Sequence, residues 1–418
     1  MTAEIAILNP HGVALAADSA VTIGSQKIIN SAIKLFALSK TDPVGVMVYG
    51  NANLLNIPWE TLIKIYRKEH AKSRFEKLEN YADSFLSFLK TKTTIFNLDI
   101  QNEWFESQIG FVFNFINTQF LNQCDQITVR DQQLTIDQKK DILFDILTRL
   151  RDGQATNEKT FFEDVAPLIP KINLVGEPIV KHYFQEFLSY IEIEALLGEL
   201  LVLIVTNNNL YQGSTGLVIS GFGDDDIFPS VITYQISGYF ENNLIYKIDS
   251  SKTIINGNSG MRSGIIAFAQ EDVVNSFIKG FDPELHQFSD NYLDSMSEEF
   301  FRNAPILNPV QKAQFINDFR SDLNDFKATM DKEILDRHIT PMINMIEVLP
   351  KDELATMAET LVNITAFKRK MAVSSLETVG GPIDVAVISK GDGLVWVKRK
   401  QYFPPNLNRH FFDNYFKD

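Results

Sequence analysis

The chain has 418 residues, 45% hydrophobic and 22% charged, the balance of a folded globular protein with ample material for a core. Its formal net charge of −14 argues against a nucleic-acid-binding or anionic-membrane surface, since both need clustered Lys and Arg. A single cysteine, Cys124, excludes a disulfide framework and a cysteine-based metal site and fits a reducing compartment.

The first fifty residues read as strands. "EIAILN" (4–9) and "GVALAAD" (12–18) are joined by turn chemistry at Pro10 and His11, and "QKIIN", "IKLFAL" and "VGVMVYG" follow at short spacing. Strands so short and so close pair antiparallel, because parallel pairing needs a long crossover. From about residue 57 the period becomes helical, through "WETLIKIYRKEH" and residues 79–91, 103–122, 137–151 and 178–205. Strands return over 215–223, 230–240 and 244–249, a second helical block runs from about 264 to 372, and a last hairpin covers 382–389 and 393–399 around "KGDG".

Three separated strand clusters are most simply one layered sheet domain interrupted by helical insertions, since a terminal two-stranded hairpin is marginal alone. The expected division is a core at 1–56, 213–263 and 351–418, with helical insertions at 57–212 and 264–350. Residues 2–20 alternate rather than forming a charged start and an apolar block, so no secretory signal is expected. "ALLGELLVLIV" (195–205) is short and interrupted by Glu199, and reads as a buried helix. The expected location is the cytoplasm.

Thr2 follows the initiator methionine, and its small side chain permits removal of Met1. The threonine would then carry a free α-amine, with an unperturbed pKa of roughly 7.7–8.0, on the same residue as the hydroxyl it would activate. A nearby lysine would keep that amine unprotonated and polarise the hydroxyl, and would itself need a carboxylate. Asp18, ending the second strand, and Lys34, interrupting an apolar pattern in "SAIKLFAL", are the candidates. Taken singly, each has a plainer reading: a processing site, a strand-end turn residue and a snorkelling lysine.

Taken together, residues 2–60 resemble the start of a proteasome β-type subunit of the N-terminal nucleophile hydrolase superfamily, as a divergent bacterial-type member with large helical insertions. The match lies in the leading Thr2, "GVALAADSAVT", Lys34 opening a strand, and "VYGNANL" leading into a helix. The resemblance implies Thr2, Asp18 and Lys34 as the catalytic set and the Gly50 amide as oxyanion donor. "INGNSG" resembles the family's turn before a helix, which implies Ser259 as support for the threonine amine; its plainer reading is an ordinary turn. Where the family has an aspartate followed by Ser-Gly, this chain has Leu376 and Val379, with Glu377 the nearest carboxylate.

Other features read as structure. The six histidines lack metal-ligand spacing, "GDDD" (223–226) lacks the ligand pattern of a calcium loop and reads as solvated, and "FVFNFINTQF" (111–120) reads as helical core. Lys398, Arg399 and Lys400 form a basic cluster after the last strand and read as a strand-end cap. The expected fold is therefore α+β, a four-layer α/β/β/α sandwich of the N-terminal nucleophile type. The expected function is cleavage of peptide or other amide bonds through Thr2, with no cofactor or metal. The resemblance further implies a homo-oligomer and an unfolding ATPase partner. Two alternatives stand beside this: a non-catalytic interaction or assembly protein of the same fold, and a small-molecule amidohydrolase.

Overall fold

The computed structural model describes residues 3–23, 27–127, 134–155, 165–206, 213–255, 262–303, 309–371 and 379–415. The first strands are β1 (Glu4–Asn9), β2 (Gly12–Ala17), β3 (Val21–Ile23), β4 (Lys27–Ile29), β5 (Leu35–Ala37) and β6 (Val44–Gly50). A small ribbon of β7 (Asn53–Leu54) and β8 (Ile57–Pro58) leads into α1 (Trp59–Glu69). Helices α2 (Leu78–Thr91), α3 (Leu98–Ile127), α4 (Ile136–Ala155), α5 (Ile169–Phe184) and α6 (Ile191–Thr206) follow. Then come β9 (Thr215–Gly221), β10 (Ser230–Phe240), β11 (Asn243–Ile248) and β12 (Gly264–Ala267). Next are α7 (Glu271–Lys279), α8 (Pro283–Asn303), α9 (Pro309–Ile334), α10 (Thr340–Val348) and α11 (Lys351–Met371). The chain closes with β13 (Asp384–Ser389), β14 (Gly393–Lys398) and α12 (Arg409–Tyr415).

The fold is α+β with antiparallel sheets. One sheet has the order β12–β1–β2–β13–β14 and the other β11–β10–β9–β6–β5. Every residue of β1, β2 and β13 is buried, so these strands are covered on both faces and read as continuous apolar runs. The two faces separate with period two. Ile5, Ile7, Ala14, Ala16, Val385 and Val387 pack under α7, α10 and α11. Ala6, Leu8, Val13, Leu15, Ala386 and Ile388 meet Leu35, Met47, Val218 and Val231 of the second sheet. The other face of that second sheet packs on α1 and α2. Helices α3 to α6 instead build a core of their own, reached from the sheet by Phe240 and Ile245.

Three details depart from the sequence reading. The helix expected over 178–205 breaks after Phe184 into a 3-10 turn at Gln185–Phe187, letting α5 and α6 pack closely enough that a Cβ on Gly176 would lie 2.5 Å from Leu201. A helix was expected from about 264, but "GIIA" first forms β12 and pairs with β1, Ile5 facing Ala267; four apolar residues are too few for periodicity to separate strand from helix. Asp226, expected in a solvated loop, is buried. It accepts from the backbone N–H of Leu78 and of Gly223, both at 2.8 Å, and so caps the start of α2. No helix among the described residues is long and apolar enough to cross a membrane.

Candidate active site

The β1–β2 hairpin sets the site. Its register pairs Glu4 with Ala17, which brings Asp18 beside Ala3. The Asp18 N–H donates to the Ala3 carbonyl at 3.1 Å, and the Ala3 N–H returns a bond to Asp18 Oδ1 at 3.2 Å. Oδ2 accepts from the N–H of Gly380 at 2.9 Å and of Ala20 at 3.3 Å. With three backbone donors fixing it, the carboxylate has one geometry, and it is fully buried.

Lys34 supplies the countercharge. It precedes β5, is buried, and donates from Nζ to Asp18 Oδ1. Its Nζ also lies 3.3 Å from Oε1 of Glu4, which is buried on the side of β1 shared with Ala6 and Leu8. Two carboxylates thus confine one ammonium away from water, where neither charge is tolerable unpaired.

A second lysine and aspartate sit next to this cluster. The Ser19 N–H donates to the Gly380 carbonyl at 3.1 Å, and its hydroxyl donates to the Pro382 carbonyl while accepting from Lys400 Nζ. Lys400 reaches Asp384 twice, by its N–H to Oδ1 at 2.8 Å and by Nζ to Oδ2 at 3.2 Å. Burial holds the Lys400 ammonium below the usual lysine range, against the opposing pull of Asp384.

Gly50 ends β6 with φ +81°, a left-handed conformation natural to glycine, and a Cβ there would meet the Ser214 carbonyl oxygen at 2.5 Å. The turn after it is pinned from behind. The Trp59 indole N–H donates to Thr215 Oγ1 at 3.0 Å, and that hydroxyl donates to the Asn51 carbonyl at 2.9 Å. Tyr49 lies flat enough over Gly216 that a Cβ on Gly216 would fall 1.9 Å from its ring. Lys34 and Gly50 line one cavity of about 180 Å³, together with Val21, Ile33, Asn51 and Trp59.

Of the residues singled out in the sequence, the structure brings Asp18 and Lys34 into contact and puts Gly50 on the cavity that Lys34 lines. Thr2 and Ser259 lie outside the described residues, as do Leu376 and Glu377. Val379 is buried against the helix-covered face of the first sheet. Sequence reasoning missed Glu4, Ser19, Asp384 and Lys400. Glu4 carried a usable signal, a carboxylate heading a strand whose next four residues are all apolar. Lys400 carried none, because its charge partner is brought close only by the β13–β14 pairing. Among the described residues no group of three or more His, Cys, Asp or Glu could hold a metal ion.

No protein-family model matches the chain, and no curated protein does. Solved structures do match over 99% of its length. They include Anbu (ancestral beta-subunit) from Yersinia bercovieri, at 9% identity over 94% of that chain with a TM-score of 0.28. The Anbu complex from Pseudomonas aeruginosa, solved as a helical assembly, matches at 9% identity over 93% of its chain with a TM-score of 0.26. Anbu from Hyphomicrobium sp. strain MC1 matches at 10% identity over 94% of its chain, also with a TM-score of 0.26. Likeness at this level carries no argument about the fold or chemistry of the chain, which rest on its own residues.

Proposed function

We propose that the chain is a proteasome-like threonine hydrolase that cleaves peptide or other amide bonds through Thr2 after removal of Met1. One observation carries this reading: the N–H of Ala3, the residue bonded to Thr2, donates to the same Asp18 oxygen that accepts from Lys34. The first residue after a free threonine would therefore be tied directly to a buried lysine–carboxylate pair. The layers support the same reading, with α7, α10 and α11 on one sheet, the two sheets face to face, and α1 and α2 on the other. We read them as the four-layer α/β/β/α sandwich of N-terminal nucleophile hydrolases, with helical insertions at 57–212 and 264–350. A homo-oligomer and an unfolding ATPase partner belong to the proposal through the family resemblance alone.

The chemistry follows from the residue types. The Thr2 hydroxyl attacks the substrate carbonyl, and its proton passes to the Thr2 α-amine, directly or through one water. The Gly50 amide takes the developing oxyanion. Lys34, held by Asp18, lowers the cost of the threonine alkoxide. Collapse of the tetrahedral intermediate breaks the C–N bond, and the leaving amine takes the proton from the α-ammonium. Water then hydrolyses the threonine ester and restores the hydroxyl.

Intact mass followed by exposure to an epoxyketone or β-lactone tests the proposal. The expected result is a mass lacking Met1 and a covalent adduct that is absent from Thr2→Ala. Retained Met1, or an adduct that persists in Thr2→Ala, would overturn it.

A further inference from the structure

The segment after β14 is built differently from the rest of the chain. In "YFPPNLNRHFF" (402–412) four aromatic side chains occur within eleven residues, and none of them enters the cores formed by the sheets and helices. They pack on one another instead. Phe403 sits at the centre, its ring centroid 5.0 Å from that of Tyr402, 4.9 Å from Phe411 and 6.3 Å from Phe412. Tyr402 remains 88% exposed. These rings, Phe403 and Phe412 among them partly buried, form an apolar wall of the kind that lines ligand pockets.

That wall lines a cavity of about 280 Å³ together with Trp396. The cavity adjoins the one at Lys34 and Gly50, since Ile33 and Glu60 line both. Its charge runs against that of the chain. Three cations, Lys64, Arg399 and Lys400, and one carboxylate, Glu60, line it in a protein of net charge −14. Lys64 is tied to Glu60, and Lys400 to Asp384. Arg399 has no carboxylate within 4.0 Å among the described residues; its guanidinium lies 4.1 Å from the centroid of Trp396. A guanidinium stacked on an aromatic face keeps its edge donors available for a carboxylate.

We infer that this cavity is a binding site for an aromatic side chain flanked by a carboxylate, as in an aromatic residue of a peptide or an N-acyl amino acid. The ring fills the aromatic wall and the carboxylate bonds Arg399. The inference names a substrate class for the hydrolase proposed above and rests on that reading for the word substrate. The binding itself can be measured without turnover.

The test is titration of N-acetylphenylalanine into the full-length Thr2→Ala variant, followed by tryptophan fluorescence with Trp396→Phe as the control for signal origin. N-acetylphenylalaninamide and N-acetylalanine serve as comparison ligands. N-acetylphenylalanine is expected to bind about tenfold or more tighter than either comparison ligand, the range in which one buried contact or charge-assisted bond acts. Arg399→Gln should abolish the preference for acid over amide and leave the preference for phenylalanine over alanine. Tyr402→Ala with Phe411→Ala should remove the latter. Equal binding of the three ligands, or no binding, would overturn the inference. So would dissociation of an oligomer on Phe411→Ala, seen by sedimentation, because the wall would then be an interface between copies. Retained Met1 or absence of labelling would sink the hydrolase and leave this binding result standing.

Discussion

Lys34 Nζ lies 3.3 Å from Glu4 Oε1 while also donating to Asp18, so a single buried ammonium faces two carboxylates. Glu4 falls two residues from the proposed nucleophile. Its carboxylate would favour the protonated form of an α-amine at Thr2, opposing Lys34, and so would raise the pH at which that amine becomes a base. Glu4→Gln removes the opposing charge and keeps the shape. The acidic limb of the pH–rate profile for β-lactone labelling is therefore expected to move to lower pH in Glu4→Gln. An unchanged profile would mean that Glu4 acts on Lys34 alone.

Removing Lys34 has a different consequence. Lys34→Ala removes the buried ammonium that both Glu4 and Asp18 face, a change that typically costs about 3–5 kcal/mol. Urea unfolding should show a midpoint shift of that size. Lys34→Arg should recover part of the stability and little of the labelling, because a planar guanidinium cannot occupy the same point between the carboxylates. Full labelling by Lys34→Arg would remove the lysine from the mechanism.

At Gly50 the backbone itself is the constraint. Alanine there is strained at φ +81° and would bring its Cβ within 2.5 Å of the Ser214 carbonyl oxygen. Gly50→Ala is expected to cost about 1–3 kcal/mol, the usual range for a residue forced into a sparsely populated conformation. The β6–α1 turn must shift to relieve the contact, which displaces the proposed oxyanion donor. The measurement is thermal unfolding beside labelling rate, with the rate falling far more than stability alone accounts for.

The sequence made the sheet legible because its strands are nearly uninterrupted apolar runs bounded by turn residues, as in "GVALAA" and "DVAVIS". The same property hid β12, whose four residues carry no period, and left the partners of Glu4 invisible. Asp18 and Lys34 could be paired because residue chemistry made each a candidate and the family resemblance over residues 2–60 joined them. Lys400 and Asp384 could not be joined to that pair, since their approach depends on β13 docking beside β2, where Asp384 faces Ala17. Asp226 shows the limit of local reading: surrounded by Asp224, Asp225 and Gly223 it looks solvated, yet the start of α2, far earlier in the chain, buries it.

Lys400 gives the chain a pH dependence that can be isolated. Burial holds its ammonium below the usual lysine range, although Asp384, Asp18 and Ser19 lie close, with Lys34 opposing the charge. In the window between the folded-state pKa and about 10.4, the unfolded value, the unfolded chain binds more protons than the folded one. Stability attributable to this group therefore rises with pH across that window, and its cost is fully present below the folded-state pKa. The buried tyrosines Tyr81, Tyr234 and Tyr239 act with the opposite sign, because burial raises them and their contribution is lost above pH 10. Comparison with Lys400→Met cancels them. The difference in urea midpoint, native minus Lys400→Met, is expected to increase as pH rises toward about 10.4, the unfolded value. A flat difference would mean that the folded protein keeps Lys400 protonated as firmly as the unfolded chain does.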